Sequence, residues 1–144
     1  MAQIIPLTGL ERANGGSYTH KVVLTFTDIV ALTSGTAYSI YPGYAGTSTK
    51  TNLLVKSVDT YVKTAFAGTG TLVATIGDGS TAAAYMASTT LKTAGWIAGA
   101  QTAPLVPAGN IIKFTPTAGT DITTFTAGEV HIFLELVDGG TVTQ

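Results

Sequence analysis

The two histidines are the residues of this sequence with the clearest potential for chemistry. His20 and His131 each lie in a segment with strand-like alternation, so they could meet across a sheet. A zinc ion usually takes three or four protein ligands. A carboxylate such as Asp28 or Glu129 would have to complete the set, but no spacing in the chain points to that arrangement. We therefore expect two unrelated strand histidines and no metal site.

A second candidate for chemistry is the sequence Gly77-Asp78-Gly79. A phosphate-binding loop needs a longer glycine-rich pattern that ends in Lys and Ser or Thr, and a calcium loop needs several carboxylates at alternating positions. Neither pattern is present, none of the seven serines lies in a nucleophile-elbow context, and the chain has no cysteine. The sequence accordingly predicts a plain turn here, no catalytic residues, no cofactor and no enzymatic activity.

The composition favours a structural or binding protein. The 144 residues include 27 Thr, 19 Ala and 17 Gly, whereas charged residues make up 10% and the formal net charge is −1. Such a chain lacks the basic patch that nucleic-acid binding requires, so we expect no nucleic-acid partner. An exterior with so few charges is poorly equipped to repel neighbouring molecules. We therefore expect other subunits to cover much of it.

A membrane partner is not expected either. The mean hydropathy is +0.37, but no apolar run approaches the roughly 20 residues that a membrane-spanning helix needs. The first ten residues also lack the basic segment that precedes the apolar part of a signal peptide. The positive hydropathy is therefore attributed to strands and loops.

Alternation of apolar and polar residues predicts a series of short strands. The last of them alternates most cleanly and is expected at the centre of its sheet. The glycine-rich turn 68–70 is expected to join the third and fourth strands in a hairpin, and the alanine-rich residues 82–94 form the one plausible helix. The predicted strands are 18–27, 36–41, 53–66, 71–76, 110–115 (ended by Pro116), 122–126 and 129–137.

These elements predict an all-β fold, an antiparallel β-sandwich with at most one short helix. The sandwich domain spans residues 18–138, and residues 139–144 form a polar C-terminal tail. Residues 1–17 form an extended N-terminal arm. The arm by itself cannot bury its apolar side chains. We expect these side chains to contribute to a subunit interface: Ile4, Ile5, Leu7 and Leu10.

Aromatic side chains supply the candidate recognition residues, because exposed rings stack on sugars and anchor protein interfaces. Tyr38, Tyr41 and Tyr44 lie around the Pro42-Gly43 turn, which predicts a recognition loop, although sandwich cores also use tyrosine at sheet edges. The other rings considered on this ground are Tyr61, Tyr85 and Trp96.

Several segments occur in an informative order. The N-terminal arm leads into a Thr-rich strand at 21–27, and a long strand ends in Thr64-Ala65-Phe66. A further strand closes on Ile76-Gly77-Asp78-Gly79, and the chain finishes with Thr126-Ala127-Gly128-Glu129-Val130-His131. This order resembles that of small β-sandwich virion proteins of tailed bacteriophages, most of all head decoration (cement) proteins.

The resemblance implies a non-enzymatic virion protein on the capsid surface. Members of this group are jelly-roll-like subunits, commonly homotrimers, that bind the major capsid protein on the outside of an icosahedral head and stabilise it. Ile4, Ile5, Leu7 and Leu10 would then dock on a neighbouring subunit or on the shell. Related sandwiches also occur in tails, baseplates and head fibres.

Two other classes of function stay open at this point. A carbohydrate- or receptor-binding module, or a tail or head-fibre module, would use the loop of Tyr38, Tyr41 and Tyr44. An enzyme would have to use a single site in which His20 or His131 is paired with a carboxylate.

Overall fold

The computed structural model describes residues 3–6, 18–41, 53–78, 81–97 and 112–138. These residues form an all-β sandwich with antiparallel strands, which confirms the predicted fold class. In chain order the elements are β1 (Gln3–Pro6), β2 (His20–Thr25), helix α1 (Phe26–Val30), β3 (Tyr38–Tyr41), β4 (Leu53–Ala67), β5 (Leu72–Gly77), β6 (Met86–Thr90), β7 (Gly95–Trp96), β8 (Ile112–Ala118), a 3-10 helix (Ile122–Thr124) and β9 (Ala127–Asp138).

The strands form one sheet of five, in the order β1-β2-β9-β4-β7, and one of four, in the order β3-β8-β5-β6. The predicted position of the last strand is confirmed, because β9 lies in the middle of the five-stranded sheet between β2 and β4. Its buried residue Ile132 pairs with Val22 on one side and with Thr60 on the other.

The core lies between the two sheets and follows from alternation along each strand. Residues of one parity in β2, β5, β8 and β9 are buried, and their neighbours face outward. Burial of apolar side chains from both sheets is the main source of stability of such a sandwich. The largest fully buried side chains are Tyr85, Phe66, Phe114, Phe125, Ile29, Leu72, Ile76, Met86, Leu91, Ile112, Ile132 and Leu134.

A β-bulge changes the alternation in β4. Val55 and Val58 are both buried, although they are three residues apart, and the pairing with β9 shifts between Val55 and Ser57. An extra residue in one strand re-aims the side chains that follow it. Lys56, which strict alternation would place on the same face as Val58, is therefore exposed.

The predicted hairpin of 53–66 and 71–76 is wrong. β4 pairs with β9 and β7 in the five-stranded sheet, whereas β5 pairs with β8 and β6 in the other. The glycine-rich connection therefore crosses from one sheet to the other. Lys92 holds it there: its Nζ donates hydrogen bonds to the carbonyl oxygens of Gly68 (2.9 Å) and Gly70 (2.6 Å) and lies 5.9 Å from the Phe125 ring centroid.

The predicted helix at 82–94 is also wrong. Residues 82–85 form turns, residues 86–90 are strand β6, and residues 91–93 form a bend. Met86 is buried and pairs with Ile76 of β5, while Thr89 and Thr90 continue the ladder. Helix propensity is a weak preference that tertiary pairing overrides, and β-branched threonines favour the strand.

The short helix of the fold is α1, which directly follows β2. The carboxylate Oδ2 of Asp28 accepts hydrogen bonds from the backbone N–H of Thr25 (2.8 Å) and from its hydroxyl (3.0 Å). These bonds fix the start of the helix, and buried Ile29 anchors it on the core. Residues 122–126, predicted as a strand, instead contain the 3-10 helix, whose first turn is capped by the Asp121 side chain bonding Thr123 N–H (2.9 Å).

Strand β8 continues through Pro116, where the sequence predicts its end. Proline fits within a strand only where no ladder hydrogen bond needs its missing N–H. The carbonyl oxygen of Pro116 accepts a bond from Gly35 N–H (2.7 Å). Since the N and O of one strand residue point to the same side, the missing N–H faces the loop of Gly35, and the pairing of β8 with β5 is undisturbed.

Part of the predicted arm belongs to the sheet of its own chain. β1 pairs antiparallel with β2, with Ile4 opposite Val22 and Ile5 opposite Lys21. Residues 3–6 of the predicted arm therefore lie at the edge of the five-stranded sheet. Leu7, Leu10 and the tail 139–144 lie outside the described residues.

The Tyr85 hydroxyl yields a prediction about stability. Tyr85 is fully buried, and its hydroxyl has no hydrogen-bond partner among the described residues. Burial, and then the charge of Asp78, raise the pKa of this phenol. An unsatisfied buried donor costs about 1–3 kcal/mol. We expect Tyr85→Phe to raise the free energy of unfolding by about 1 kcal/mol in urea titrations.

Tyr38→Phe is the matched control for this prediction. The Tyr38 hydroxyl accepts a hydrogen bond from Thr33 N–H (2.8 Å), so its removal should cost up to about 1 kcal/mol. Loss of stability in Tyr85→Phe would contradict the argument that its hydroxyl is unsatisfied.

Candidate functional site

The outer face of the five-stranded sheet carries a cluster of rings that we call the aromatic face: Tyr18, Tyr61, Trp96, His131 and Phe133. Four separate parts of the chain contribute to it, namely the segment before β2 and the strands β4, β7 and β9. It faces away from the core, because the buried residues of β9 have the opposite parity.

Strand register brings these residues side by side. One row across the sheet contains Val23, His131, Tyr61 and Trp96, on β2, β9, β4 and β7 respectively. The next row contains Lys21, Phe133 and Asp59. Directly opposite residues in antiparallel strands share a face of the sheet.

The rings form a continuous series of contacts. The ring centroids of Tyr61 and Trp96 are 5.0 Å apart, those of Trp96 and Phe133 5.5 Å, and those of Phe133 and Tyr18 5.4 Å. The His131 ring lies 6.2 Å from Phe133. These separations and their tilted geometry are those of favourable aromatic pairs, which hold one another in place.

Trp96 is the residue of this cluster that solvent reaches most. It is 60% exposed, and among the described residues it is the only exposed large hydrophobic side chain. Its backbone is fixed by the pairing with Tyr61 and by the adjacent bond from Ile97 N–H to the Thr60 carbonyl oxygen (2.9 Å). An indole that stays exposed while its neighbours hold it is a candidate ligand contact.

Charged pairs border the aromatic face on two sides. Lys63 Nζ lies 3.2 Å from Glu129 Oε1, and His131 Nε2 lies 2.6 Å from the same oxygen. On the other side, Glu135 lies 3.8 Å from Lys56 Nζ and accepts a bond from the Ser57 hydroxyl (3.4 Å). The border is therefore polar but internally paired.

These contacts shift the pKa of Glu129. The hydrogen bond with His131, supported by Lys63, holds the pKa of this carboxyl below its ordinary value against the opposing effect of burial. Glu129 is consequently ionised at neutral pH, where it accepts bonds and fixes the orientation of the imidazole.

The hydroxyl of Tyr18 links the segment before β2 to strand β4. It donates a 2.6 Å hydrogen bond to Asp59 Oδ2. Burial, the bond to Asp59, and the charges of Asp59 and Glu135 raise the pKa of Tyr18 to about 12. A donor beside a carboxylate keeps its proton, because ionisation would place two negative charges in contact.

This raised pKa predicts a pH dependence of stability. Since the folded-state pKa of Tyr18 (about 12) exceeds its ordinary value of 10.0, the bond stabilises the protein fully below pH 10. That stabilisation is lost as pH rises through about 12. We expect Tyr18→Phe to cost about 1 kcal/mol near neutral pH, after allowance for solvent screening. Because ionisation also charges a partly buried phenol in wild type, the difference should shrink above pH 10 and vanish or reverse by about pH 12 in urea titrations.

Asp59→Asn is the control for that titration. It removes the acceptor charge but leaves the phenol, so the pKa of Tyr18 should fall only part of the way to 10, because burial is the largest cause of its shift. A difference between Tyr18→Phe and wild type that does not change with pH would contradict the prediction.

The structure does not bring the two histidines together. His20 lies opposite buried Leu134, and His131 lies opposite outward-facing Val23, so they belong to opposite faces of the sheet. No group of three or more His, Asp or Glu within the described ranges is placed to hold a metal ion.

The serine of the neighbouring strand β4 is not the residue that lies opposite His131. The Ser57 hydroxyl bonds Glu135, whereas the residue of β4 that lies opposite His131 is Tyr61. Asp78, predicted to lie in a turn, forms one: its N–H donates to the Thr81 carbonyl oxygen (3.1 Å), and its Oδ1 accepts from Thr81 N–H (2.6 Å).

Two of the predicted recognition residues, Tyr38 and Tyr41, lie on the four-stranded sheet, apart from the aromatic face. Tyr38 is half-buried on β3 in the four-stranded sheet, opposite the core residue Phe114, and its hydroxyl is bonded within the chain. Tyr41 ends β3 opposite Ile112. Tyr44 lies outside the described residues. Of the other rings considered from sequence, Tyr61 and Trp96 do meet, whereas Tyr85 is in the core.

The sequence does not indicate that Tyr18, Phe133 and Glu129 are parts of one surface. The available signal was parity: in the final strand His131, Phe133 and Glu135 occupy the positions between the apolar core residues. Which strands lie beside that strand cannot be read from parity alone.

Comparison with known proteins adds no relative: no family model, curated protein or solved structure matches this chain. In the part of the chain that the structure describes, no helix has the length and apolar character needed to cross a membrane.

Proposed function

We propose that this protein is a non-enzymatic structural protein of a phage virion. In this proposal it is a decoration (cement) protein that binds the major capsid protein on the outside of the head, as a homotrimer, and stabilises the shell. The observation that supports it is the character of the exterior. Among the exposed described residues threonine is the commonest, and only Lys56, Lys63 and Asp121 carry a charge.

Such a surface suits lasting contact with other protein. Interface cores are depleted in charged residues, and burying an unpaired charge is costly. A surface of Thr, Ala, Ser and Gly can be covered with little desolvation of charge, whereas a free monomer gains solubility from charges that this chain lacks. The outer face of the four-stranded sheet and its edge strands β3 and β6 provide the area.

The arm fits the same proposal in a modified form. Because β1 pairs with β2 of its own chain, Ile4 and Ile5 belong to the edge of the sheet. We propose that this edge, together with Leu7 and Leu10, meets a neighbouring subunit or the shell.

The experiment is to measure size in solution together with binding to heads. The full chain is analysed by light scattering and mixed with intact and expanded heads assembled from the major capsid protein of the same genome. We expect a trimer that binds saturably and raises the temperature at which the heads disrupt. A monomer at high concentration that binds neither form of head would reject the proposal.

Substitutions on the four-stranded sheet locate the contact. Thr115 and Thr117 occupy outward-facing positions of β8, and a glutamate there would place an unpaired charge in any interface that covers this face. Loss of head binding in Thr117→Glu, with an unchanged thermal unfolding curve, would assign this face to the shell or to a neighbouring subunit.

The alternative of a carbohydrate- or receptor-binding module based on the loop of Tyr38, Tyr41 and Tyr44 also stays a proposal. The bonded hydroxyl of Tyr38 gives it no support, and binding that is lost in Tyr44→Ala would be required to favour it.

A further inference from the structure

The aromatic face differs from the rest of the exterior and calls for a separate explanation. The exposed described surface is otherwise made of small polar or apolar side chains and few charges, yet here an indole is held 60% exposed by Tyr61 and Phe133. Apolar burial would favour a covered indole. Its fixed, open position is the first indication of a ligand.

Hydrogen-bonding groups lie beside the rings of the aromatic face. Asp59 is opposite Phe133 in the sheet, and Ser57 and Glu135 follow in the next row. Asp59 accepts one bond from Tyr18, and a carboxylate offers about four acceptor positions. The face therefore combines a flat apolar surface with fixed acceptors, the combination that hydroxyl-rich ligands need.

The charge of the face selects for a neutral ligand. Among the described residues, its positive side chains are Lys21, Lys56 and Lys63, and its negative ones are Asp59, Glu129 and Glu135. These six charges cancel, and ion pairs join Lys56 to Glu135 and Lys63 to Glu129. Neither an anionic polymer nor a cationic peptide meets a complementary field here.

The size of the apolar area argues against a protein partner on this face. A stable protein interface buries about 800 Å² on each partner, with several aromatic or arginine anchors. Among the described rings of this face Trp96 alone is exposed, at 60%, because Tyr18, Tyr61 and Phe133 are each partly covered. One indole has about the area of one pyranose ring, whose C–H groups are attracted to the negative face of an aromatic ring.

We propose that the aromatic face binds a neutral polysaccharide, with one hexopyranose ring stacked on Trp96 and its hydroxyls bonded by Asp59 and the border of the face. This binding is independent of the proposed attachment to heads. The proposed site lies on the five-stranded sheet and not on the loop of Tyr38, Tyr41 and Tyr44, which the sequence alone indicates.

Fluorescence gives a direct test, because Trp96 is the only tryptophan of the chain. The full-length protein is titrated with soluble neutral polysaccharides (dextran, mannan, laminarin, xyloglucan and galactan) and with anionic alginate and hyaluronan. We expect at least one neutral polymer to shift the Trp96 emission saturably and the anionic polymers to have no effect. Affinity electrophoresis in the same polymers supplies a readout that does not depend on fluorescence.

Variants connect the binding to the site. Trp96→Ala should weaken retention by about tenfold or more, Trp96→Phe should retain part of it, and Tyr38→Phe and Tyr44→Ala should leave it unchanged. Circular dichroism checks that each variant is folded. Retention that Trp96→Ala does not change, binding of anionic polymers only, or no response to any neutral polymer would each overturn the proposal.

The same variants separate the two proposals. Trp96→Ala should leave head binding intact. If it abolishes head binding while no polysaccharide binds, the aromatic face is a protein interface and the glycan proposal fails alone. If polysaccharide binds but heads and trimers do not form, only the proposed function fails.

Discussion

Replacing Phe114 by alanine is expected to lower the free energy of unfolding by about 3–5 kcal/mol. Phe114 is fully buried on β8, the strand between β3 and β5, and its register partners are Tyr38 and Ile76. Truncation removes the transfer free energy of the ring and leaves a cavity between two sheets that hydrogen bonds hold in position. A domain of this size is stable by only about 5–15 kcal/mol. Urea unfolding followed by far-ultraviolet circular dichroism measures the loss.

The matched control is Thr115→Ala, one residue further along the same strand. Thr115 has the opposite parity and is not buried, so we expect a change within about 0.5 kcal/mol. Phe114→Leu keeps most of the volume and should cost far less than alanine, which keeps the test informative if Phe114→Ala does not fold. A cost below about 1 kcal/mol for Phe114→Ala would contradict the described core.

Substituting Gly77 by alanine should destabilise the protein by about 3 kcal/mol, at the upper end of the range for overpacking. Gly77 is buried at the end of β5, and a Cβ there would overlap backbone atoms of Thr81 and Ala82. The backbone of that turn has little room to move, since Tyr85 N–H bonds the Ile76 carbonyl oxygen (2.8 Å). Thermal unfolding of the two proteins measures the difference.

Gly35→Ala isolates the other cost that a glycine substitution can carry. Gly35 has a φ of +80°, and, its two chain neighbours aside, no described residue lies within 4 Å of the position that a Cβ would occupy. Its substitution therefore carries only the strain of the left-handed backbone, about 1–2 kcal/mol. The φ of Gly77 is outside that region. Equal losses at the two positions would show that the turn after β5 relaxes and that the overlap does not decide the stability.

The positions of the longer strands β2, β4, β5, β8 and β9 and the fold class could be predicted because they depend on local patterns. Alternation in the final strand is strict, and burial on one side of it matches that alternation residue by residue from Val130 to Leu134. The predicted connections failed because they depend on pairing between distant segments. Glycines at 68–70 suit a hairpin, but they equally suit a crossover whose carbonyl oxygens bond Lys92.

The candidate site could be predicted only in part, for the same reason. The sequence indicates Tyr61 and Trp96 as possible recognition rings, yet their contact requires that the two-residue strand β7 pair with β4. The three tyrosines close together in the sequence look more like a site than rings that come from residues 18, 61, 96 and 133. Proximity along the chain is a poor guide to proximity in a sandwich whose neighbouring strands are far apart in sequence.

The central position of β9 has a consequence for biosynthesis. Its two neighbours, β2 and β4, are translated long before it and pair with it rather than with each other. The five-stranded sheet therefore cannot form completely until β9 has emerged from the ribosome. Until then β2 and β4 have unpaired edges, through which the nascent chain can aggregate. Closing such distant pairs is slow, so yield during expression should respond strongly to translation rate and to chaperones that shield strand edges.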